Sequence, residues 1–268
     1  IQKNSAPYQS YILQAEKYLK EFRDKPASYA AIDSADSRPI TRQRQFKFLL
    51  SGNIFKSVSW LFRVVYGYIS DKHRDDYSNI KPWHYVLDRA KRKIRVLIGF
   101  DKFYDEINLK EDFAYFPLHF EPEMTTMFFA PFYTDQLWVI KQIARSLPIH
   151  FKLYVKEHPA MFGYRPRQYY KELKKIPNVK LVKPVIKSFD LTKNAKLITT
   201  ITGSAGLEGV MFQKPVITLG NVSVNKLPMV KKCKAIEDMP RLVKEQIELF
   251  HHDEKALINF IAAVYKES

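Results

Sequence analysis

The stretch "KLITTITGSAGLEGVMFQKPVITLG" (196–220) decides the fold class. "KLITTITG" (196–203) is rich in β-branched residues and reads as a strand. "SAGLEGVMFQ" (204–213) reads as a short helix, and "KPVITLG" (214–220) as a second strand. Strand, helix and strand in such close succession form one winding of a parallel sheet.

The alternation continues in both directions. Upstream, "KIRVLIGF" (93–100), "FAYFPLHF" (113–120), "FKLYVKEHP" (151–159) and "NVKLVKP" (178–184) are strand-like. Helical stretches lie between them at 134–148, 166–176 and 188–195. Thr134 or Asp135 is placed to cap the first of these, and Pro148 to stop it. Two helices, at about 238–250 and 253–266, are expected to close the chain. The expected fold class is therefore α/β: a Rossmann-like parallel sheet wound with helices on both faces. In such sheets ligands bind beyond the carboxyl ends of the strands.

Residues 1–92 have a different texture and are expected to be mainly helical, with residues 93–268 forming the wound domain. "YQSYILQAEKYLKEF" (8–22) has apolar positions at helical spacing, and "SYAAIDSADSRPITRQRQ" (28–45) is polar, aperiodic and loop-like. "NIFKSVSWLFRVVYGYIS" (53–70) is strongly apolar but carries Lys56 and Arg63. It reads either as a packed interdomain or core helix or as a membrane-surface helix with basic flanks. The chain opens on Ile1, not Met, and is read as processed or as a fragment.

Composition narrows the function classes. With 268 residues, 46% hydrophobic and 14% aromatic, the chain is expected to be globular, not disordered. Cys233 is the sole cysteine, which excludes an internal disulfide and fits a reducing compartment. No signal-peptide pattern opens the sequence, and no apolar run approaches the ~18 residues of a spanning helix. The net charge of +16 calls for an anionic partner. The basic residues are dispersed, without an Arg-rich block or zinc-finger spacing, so nucleic acid is not the expected one.

Three strand-end loops carry residues suited to chemistry. In "LHFEPEMTT" (118–126), residues two apart point the same way in an extended chain, so His119, Glu121 and Glu123 are candidates to face one side, with Pro122 bending the path. A carboxylate beside an imidazole suits general-base work; a salt-bridged surface turn would look the same. In "VKEHP" (155–159), alternation puts Lys156 and His158 on one side and Glu157 on the other. A histidine there can bind a phosphate oxygen, with Lys156 adding charge, or can simply cap the strand. In "TITGSAGLEG" (200–209), Thr202, Gly203 and Ser204 open a helix in a phosphate-cradle arrangement. Ser204 could equally be an ordinary N-cap. Glu208, one turn in, could accept from sugar hydroxyls or complement the helix dipole.

These residues also carry a resemblance. "YFPLHFEPEMTT", "LPIHFKLYVKEHPAMFGYRP", "IPNVKLVKP" and "ITTITGSAGLEGVMFQKPVITLG", in this order, resemble the capsule polysaccharide biosynthesis proteins, Kdo-transferase-like bacterial glycosyltransferases. The resemblance covers about residues 113–222 and departs from the pattern at Glu121, where Gln is frequent, and at Leu207, where Trp is common. It implies a GT-B architecture in which this region is the C-terminal, donor-binding domain and 1–92 a linker or the remnant of an acceptor domain. It implies that His158 with Pro159, Thr202, Gly203, Ser204 and Glu208 hold a nucleotide sugar, CMP-linked by preference, and the reading of the strand end adds Lys156 to them. Glu123, with His119, is the expected catalytic base. No metal and no cofactor beyond the donor are expected.

The expected function is transfer of a sugar, Kdo or another acidic sugar, onto a glycan or lipid-linked acceptor during surface-polysaccharide assembly. The expected location is cytoplasmic, peripheral at the inner membrane face through 53–70. A nucleotide-sugar 2-epimerase and a non-catalytic nucleotide- or glycan-binding subunit of an assembly complex are the alternatives.

Overall fold

The computed structural model describes residues 6–26, 53–70 and 81–267. The loop expected at 28–45 lies outside the described residues. The helices are α1 (Ala6–Asp24), α2 (Asn53–Ser70), α3 (Pro82–Ile98), α4 (Met124–Phe129), α5 (Gln136–Ser146), α6 (Arg167–Lys174), α7 (Ser188–Asn194), α8 (Ala205–Met211), α9 (Met239–Glu248) and α10 (Glu254–Glu267). The strands are β1 (Phe113–Pro117), β2 (Lys152–Lys156), β3 (Val179–Val182), β4 (Leu197–Thr200), β5 (Val216–Thr218) and β6 (Val230–Lys232). All six strands are parallel, in the order β3-β2-β1-β4-β5-β6.

The sheet is buried on both faces, and strand alternation sorts its side chains. From β1, Ala114 and Phe116 enter one core with Ile140 and Ile143 of α5, Leu173 of α6 and Val243 of α9. Phe113 and Tyr115 enter the other with Leu191 of α7, Val210 of α8 and Leu257 of α10. Asp135 caps α5, its carboxylate accepting from the Trp138 N–H at 3.0 Å.

Residues 6–24 join this wound body. Ala15, Leu19 and Phe22 of α1 are buried in the second core. The Phe22 ring lies 5.0 Å from that of Phe212, and the Arg23 guanidinium donates to both carboxylate oxygens of Glu254, at 2.7 and 2.8 Å.

One expected strand is overturned. "KIRVLIGF" (93–100) is not a strand, because residues 93–98 are the last turns of α3. A short apolar alternation fits either period. Pro82 opens the helix in its first turn and Gly99, at φ 82°, ends it. Arg92 and Val96, one turn apart, pack on Gly163, whose Cβ, were it present, would stand 2.7 Å from Val96 Cγ2. The 92/93 boundary thus falls inside a helix. β6 and α4 were not anticipated.

Candidate functional site

The chain winds from β1 out to β3 and then returns to lay β4 on the other side of β1. The order reverses between β1 and β4, and at such a switch point the loops beyond the strand ends frame a crevice. Those loops are 118–123 and 201–204, and one side chain ties them together. His119 Nε2 accepts the Thr202 N–H at 3.1 Å and lies 3.3 Å from Thr200 Oγ1. Thr200 Oγ1 in turn accepts the Gly203 N–H at 3.1 Å. A Cβ on residue 203 would sit 3.0 Å from Thr200 Oγ1 and 3.2 Å from His119 Nε2, which explains the glycine.

An imidazole nitrogen that accepts a backbone N–H carries no proton, so His119 is neutral with its proton on Nδ1. Burial lowers its pKa from 6.5 to about 4, with His158 and Arg165 adding to the effect. Its backbone is held as firmly. Gln136 at the start of α5 accepts from the His119 N–H at 2.7 Å, and Arg165 Nη2 donates to its carbonyl at 2.7 Å.

The expectation that His119, Glu121 and Glu123 share one side is therefore corrected. His119 turns inward to the loop after β4. Glu121 and Glu123 instead line a cavity of about 540 Å³ with Phe120, Met161, Tyr164 and Arg165. Glu121 pairs with Gln136 and lies 3.4 Å from Arg165 Nη2. Glu123 Oε2 is 3.5 Å from Thr126 Oγ1, which lies 3.3 Å from Thr202 Oγ1. A chain of hydroxyls thus runs from this carboxylate to the loop after β4.

After β2, Lys156 and Glu157 turn to opposite sides, as the alternation predicts. Lys156 is buried and donates to Ser188 Oγ at 2.7 Å, at the start of α7. Glu157 faces the other way, where Tyr170 Oη donates to it at 2.6 Å and Arg165 forms an ion pair with it. His158 is half-buried. Its Nδ1 accepts the Ala160 N–H at 3.2 Å, which leaves Nε2 as the N–H of the neutral ring. Burial lowers its pKa, against the pull of Glu157 and Glu123.

Ser204 is exposed and makes no side-chain cap; its hydroxyl donates to Glu208 Oε1 at 2.8 Å. Glu208 is buried. The two residues expected to touch a ligand separately form one hydrogen-bonded unit at the start of α8.

The sequence pattern of the family described as capsule polysaccharide biosynthesis protein matches residues 62–260, well over half of the chain. The chain belongs to that family. Among solved structures it is similar to the Thermosulfurimonas dismutans KpsC β-Kdo 2,7 transferase, at 14% identity and a TM-score of 0.40, over 78% of this chain and 68% of that one. For the β-Kdo 2,4 transferase of the same KpsC the figures are 16%, 0.39, 70% and 57%. For the UDP-GlcNAc 2-epimerase of Methanocaldococcus jannaschii they are 16%, 0.41, 68% and 50%. The chain thus spans between half and about two thirds of the length of these proteins. No curated protein matches it in sequence.

In this member of the capsule polysaccharide biosynthesis family, several residues that build the crevice were not singled out from sequence. Arg165 is the chief one: buried, it connects Glu157, Glu121 and the His119 carbonyl. Gln136, Thr126 and Thr200 are the others. Arg165 had a signal, because buried carboxylates need a cation, and "FGYRPRQ" supplies arginines just after the 151–159 strand. Gln136 had none, because a glutamine in the first turn of a helix is ordinary.

Proposed function

We propose that this chain carries the nucleotide-sugar half of a GT-B-type glycosyltransferase that builds a bacterial surface polysaccharide. The observation that carries the reading is the switch-point crevice of a capsule polysaccharide biosynthesis protein, with the Glu123 carboxylate opening into a cavity beside the His119-tied loop. A glycosyl transfer needs a base for the acceptor hydroxyl and donors for the phosphate that leaves. Glu123 takes the proton. The acceptor oxygen then bonds to the anomeric carbon as that carbon's bond to the phosphate breaks, and the electron pair departs with the nucleotide.

The departing charge is met by the His158 Nε2–H and the 202–204 loop, so binding is tightest as that charge develops. Lys156, buried against Ser188, contributes through space. His119 is assigned the positioning of the loop after β4, not proton transfer, because its Nε2 is already occupied. The Ser204–Glu208 pair offers the sugar or ribose a fixed acceptor. The reading takes the transfer to be metal-independent, with His158, Lys156 and the 202–204 loop meeting the phosphate charge. The donor is a CMP-activated acidic sugar of the Kdo type, and the acceptor a glycan or lipid-linked glycan.

The test is thermal stability against CMP, UDP, GDP, CDP and ADP, for wild type, His158→Ala and Ser204→Ala. A nucleotide at about 100 times its Kd adds about 2.7 kcal/mol. CMP is expected to stabilise the wild type, with the effect lost in both variants. Stabilisation by UDP or GDP alone would reject the donor, and none by any nucleotide would reject the site. With a donor and acceptor in hand, Glu123→Gln is expected to abolish turnover while nucleotide binding persists.

A further inference from the structure

Among the described residues, many of the exposed large apolar side chains outside the crevice lie on α2 and α3. On α2, Val58, Leu61, Phe62, Tyr66 and Ile69 recur at helical spacing and form one continuous stripe, which normally marks the face turned to a core. Here that stripe faces outward: Phe62 is 71% and Tyr66 74% exposed. On α3, Trp83, Leu87, Ile94 and Ile98 form a second exposed stripe, opposite the Arg92 and Val96 side that packs on Gly163. The helices meet through their rings: Trp60 lies 6.4 Å from Tyr85 and Tyr68 6.2 Å from Trp83.

The charge on this pair names the occupant. The two helices carry seven Lys or Arg residues, two in α2 and five in α3, against one acidic residue, Asp88; of the five, Arg92 and Arg95 turn to the 162–164 carbonyls. Arg63 and Lys91 are exposed and lie at the borders of their apolar stripes. Arg89 lies 3.7 Å above the Trp60 ring, and Lys81, just before α3, 5.6 Å above the Trp83 ring. Apolar stripes edged by cations, with Trp and Tyr between them, match a bilayer interface, where rings sit at the headgroups and cations reach the phosphates. A second copy of the chain would oppose cation to cation. Neither helix is long and apolar enough to cross a membrane.

We propose that α2 and α3 are a membrane-docking pair that lies in the surface of an anionic bilayer. It extends the surface-helix expectation for 53–70 to a second, more basic helix. α3 is joined to the site: Arg92 donates to the Phe162 carbonyl at 3.2 Å and stacks 3.9 Å from the Tyr164 ring, and Tyr164 lines the cavity. Docking through this pair would hold the cavity near the lipid surface. The inference does not depend on the transferase reading.

The experiment is co-sedimentation with vesicles of phosphatidylcholine mixed with phosphatidylglycerol, and of phosphatidylcholine alone. Binding is expected to the anionic vesicles and to weaken as salt is raised. Each exposed cation lost should reduce partitioning about fivefold, read in Arg63→Ser and Lys91→Ser. Phe62→Ser with Ile94→Ser, both at exposed positions, should reduce it at least about tenfold without shifting Tm. Three results overturn the inference: no partitioning into anionic vesicles, partitioning that these substitutions leave unchanged, or a dimer in sedimentation velocity that the apolar substitutions dissociate.

Discussion

Lowering the pH from 7 to 5 should destabilise this protein through His119. The ring is buried, its Nε2 accepts the Thr202 N–H, and its pKa is lowered from 6.5 to about 4. Between these two values the unfolded chain binds a proton at this ring that the folded chain does not. Stability must therefore fall as pH drops below about 6.5, and the fall ends near pH 4. Integrating that difference from pH 7 to pH 5 gives a loss of about 2 kcal/mol from this one group. His119→Gln removes it, and the glutamine amide oxygen can still accept the Thr202 N–H from near the Nε2 position. Urea unfolding of both proteins at the two pH values is the assay. The wild type is expected to lose about 2 kcal/mol more than the variant between pH 7 and 5, other titrating groups cancelling in the difference. Equal losses would refute the neutral, loop-tying histidine, and with it the positioning role assigned to His119.

Three further outcomes are expected. Arg165→Met, which leaves Glu157 buried without its cation, should cost about 3–5 kcal/mol in urea unfolding, and adding Glu157→Gln should recover much of it. Gly220→Ala should lower Tm and the response to nucleotide together, because its Cβ would stand 2.6 Å from Thr202 Cγ2 and 2.9 Å from the Ile201 carbonyl oxygen. Glu254 is pulled from 4.5 down to about 2, first by the Arg23 guanidinium and then by His252, against a burial penalty. The stability it lends is complete above the unfolded value and is lost as pH falls from about 4.5 toward 2; hydrogen exchange should show α1 loosening over that range, and less change in Arg23→Gln.

Most of the wound sheet was legible because its strands are fixed by local chemistry: β-branched runs bounded by Pro, Gly or Asn, separated by helices with an amphipathic period. Five of the six strands and most helices fall where those signals put them. The failures have physical causes. β6 is three residues long, "VKK", and is a strand only because β5 offers it an open edge. "KIRVLI" alternates like a strand, yet the helix wins because Arg92 and Val96 find partners one turn apart on the 162–164 loop. α1 could not be assigned to the wound body, because the aromatic and ionic contacts that hold it come from residues 189 to 254.

The site was legible in place but not in partnership. Polar residues at strand ends do mark the crevice: His119, Glu123, His158, Thr202, Gly203 and Ser204 all lie in loops beyond strand carboxyl ends. A polar residue there has two uses, however, and sequence cannot separate them. A buried loop end must satisfy its own backbone and side-chain groups before it can offer any to a ligand. His119 meets Thr202, Lys156 meets Ser188, and Ser204 meets Glu208. Those pairings add a supporting part to residues for which the spacing alone suggests only binding. What the pairings leave facing the cavity is the Glu123 carboxylate, and the His158 tautomer leaves Nε2 as its donor. In the proposed transfer of a sugar from a nucleotide phosphate to a hydroxyl, these two groups would act first, Glu123 on the hydroxyl and His158 on the phosphate.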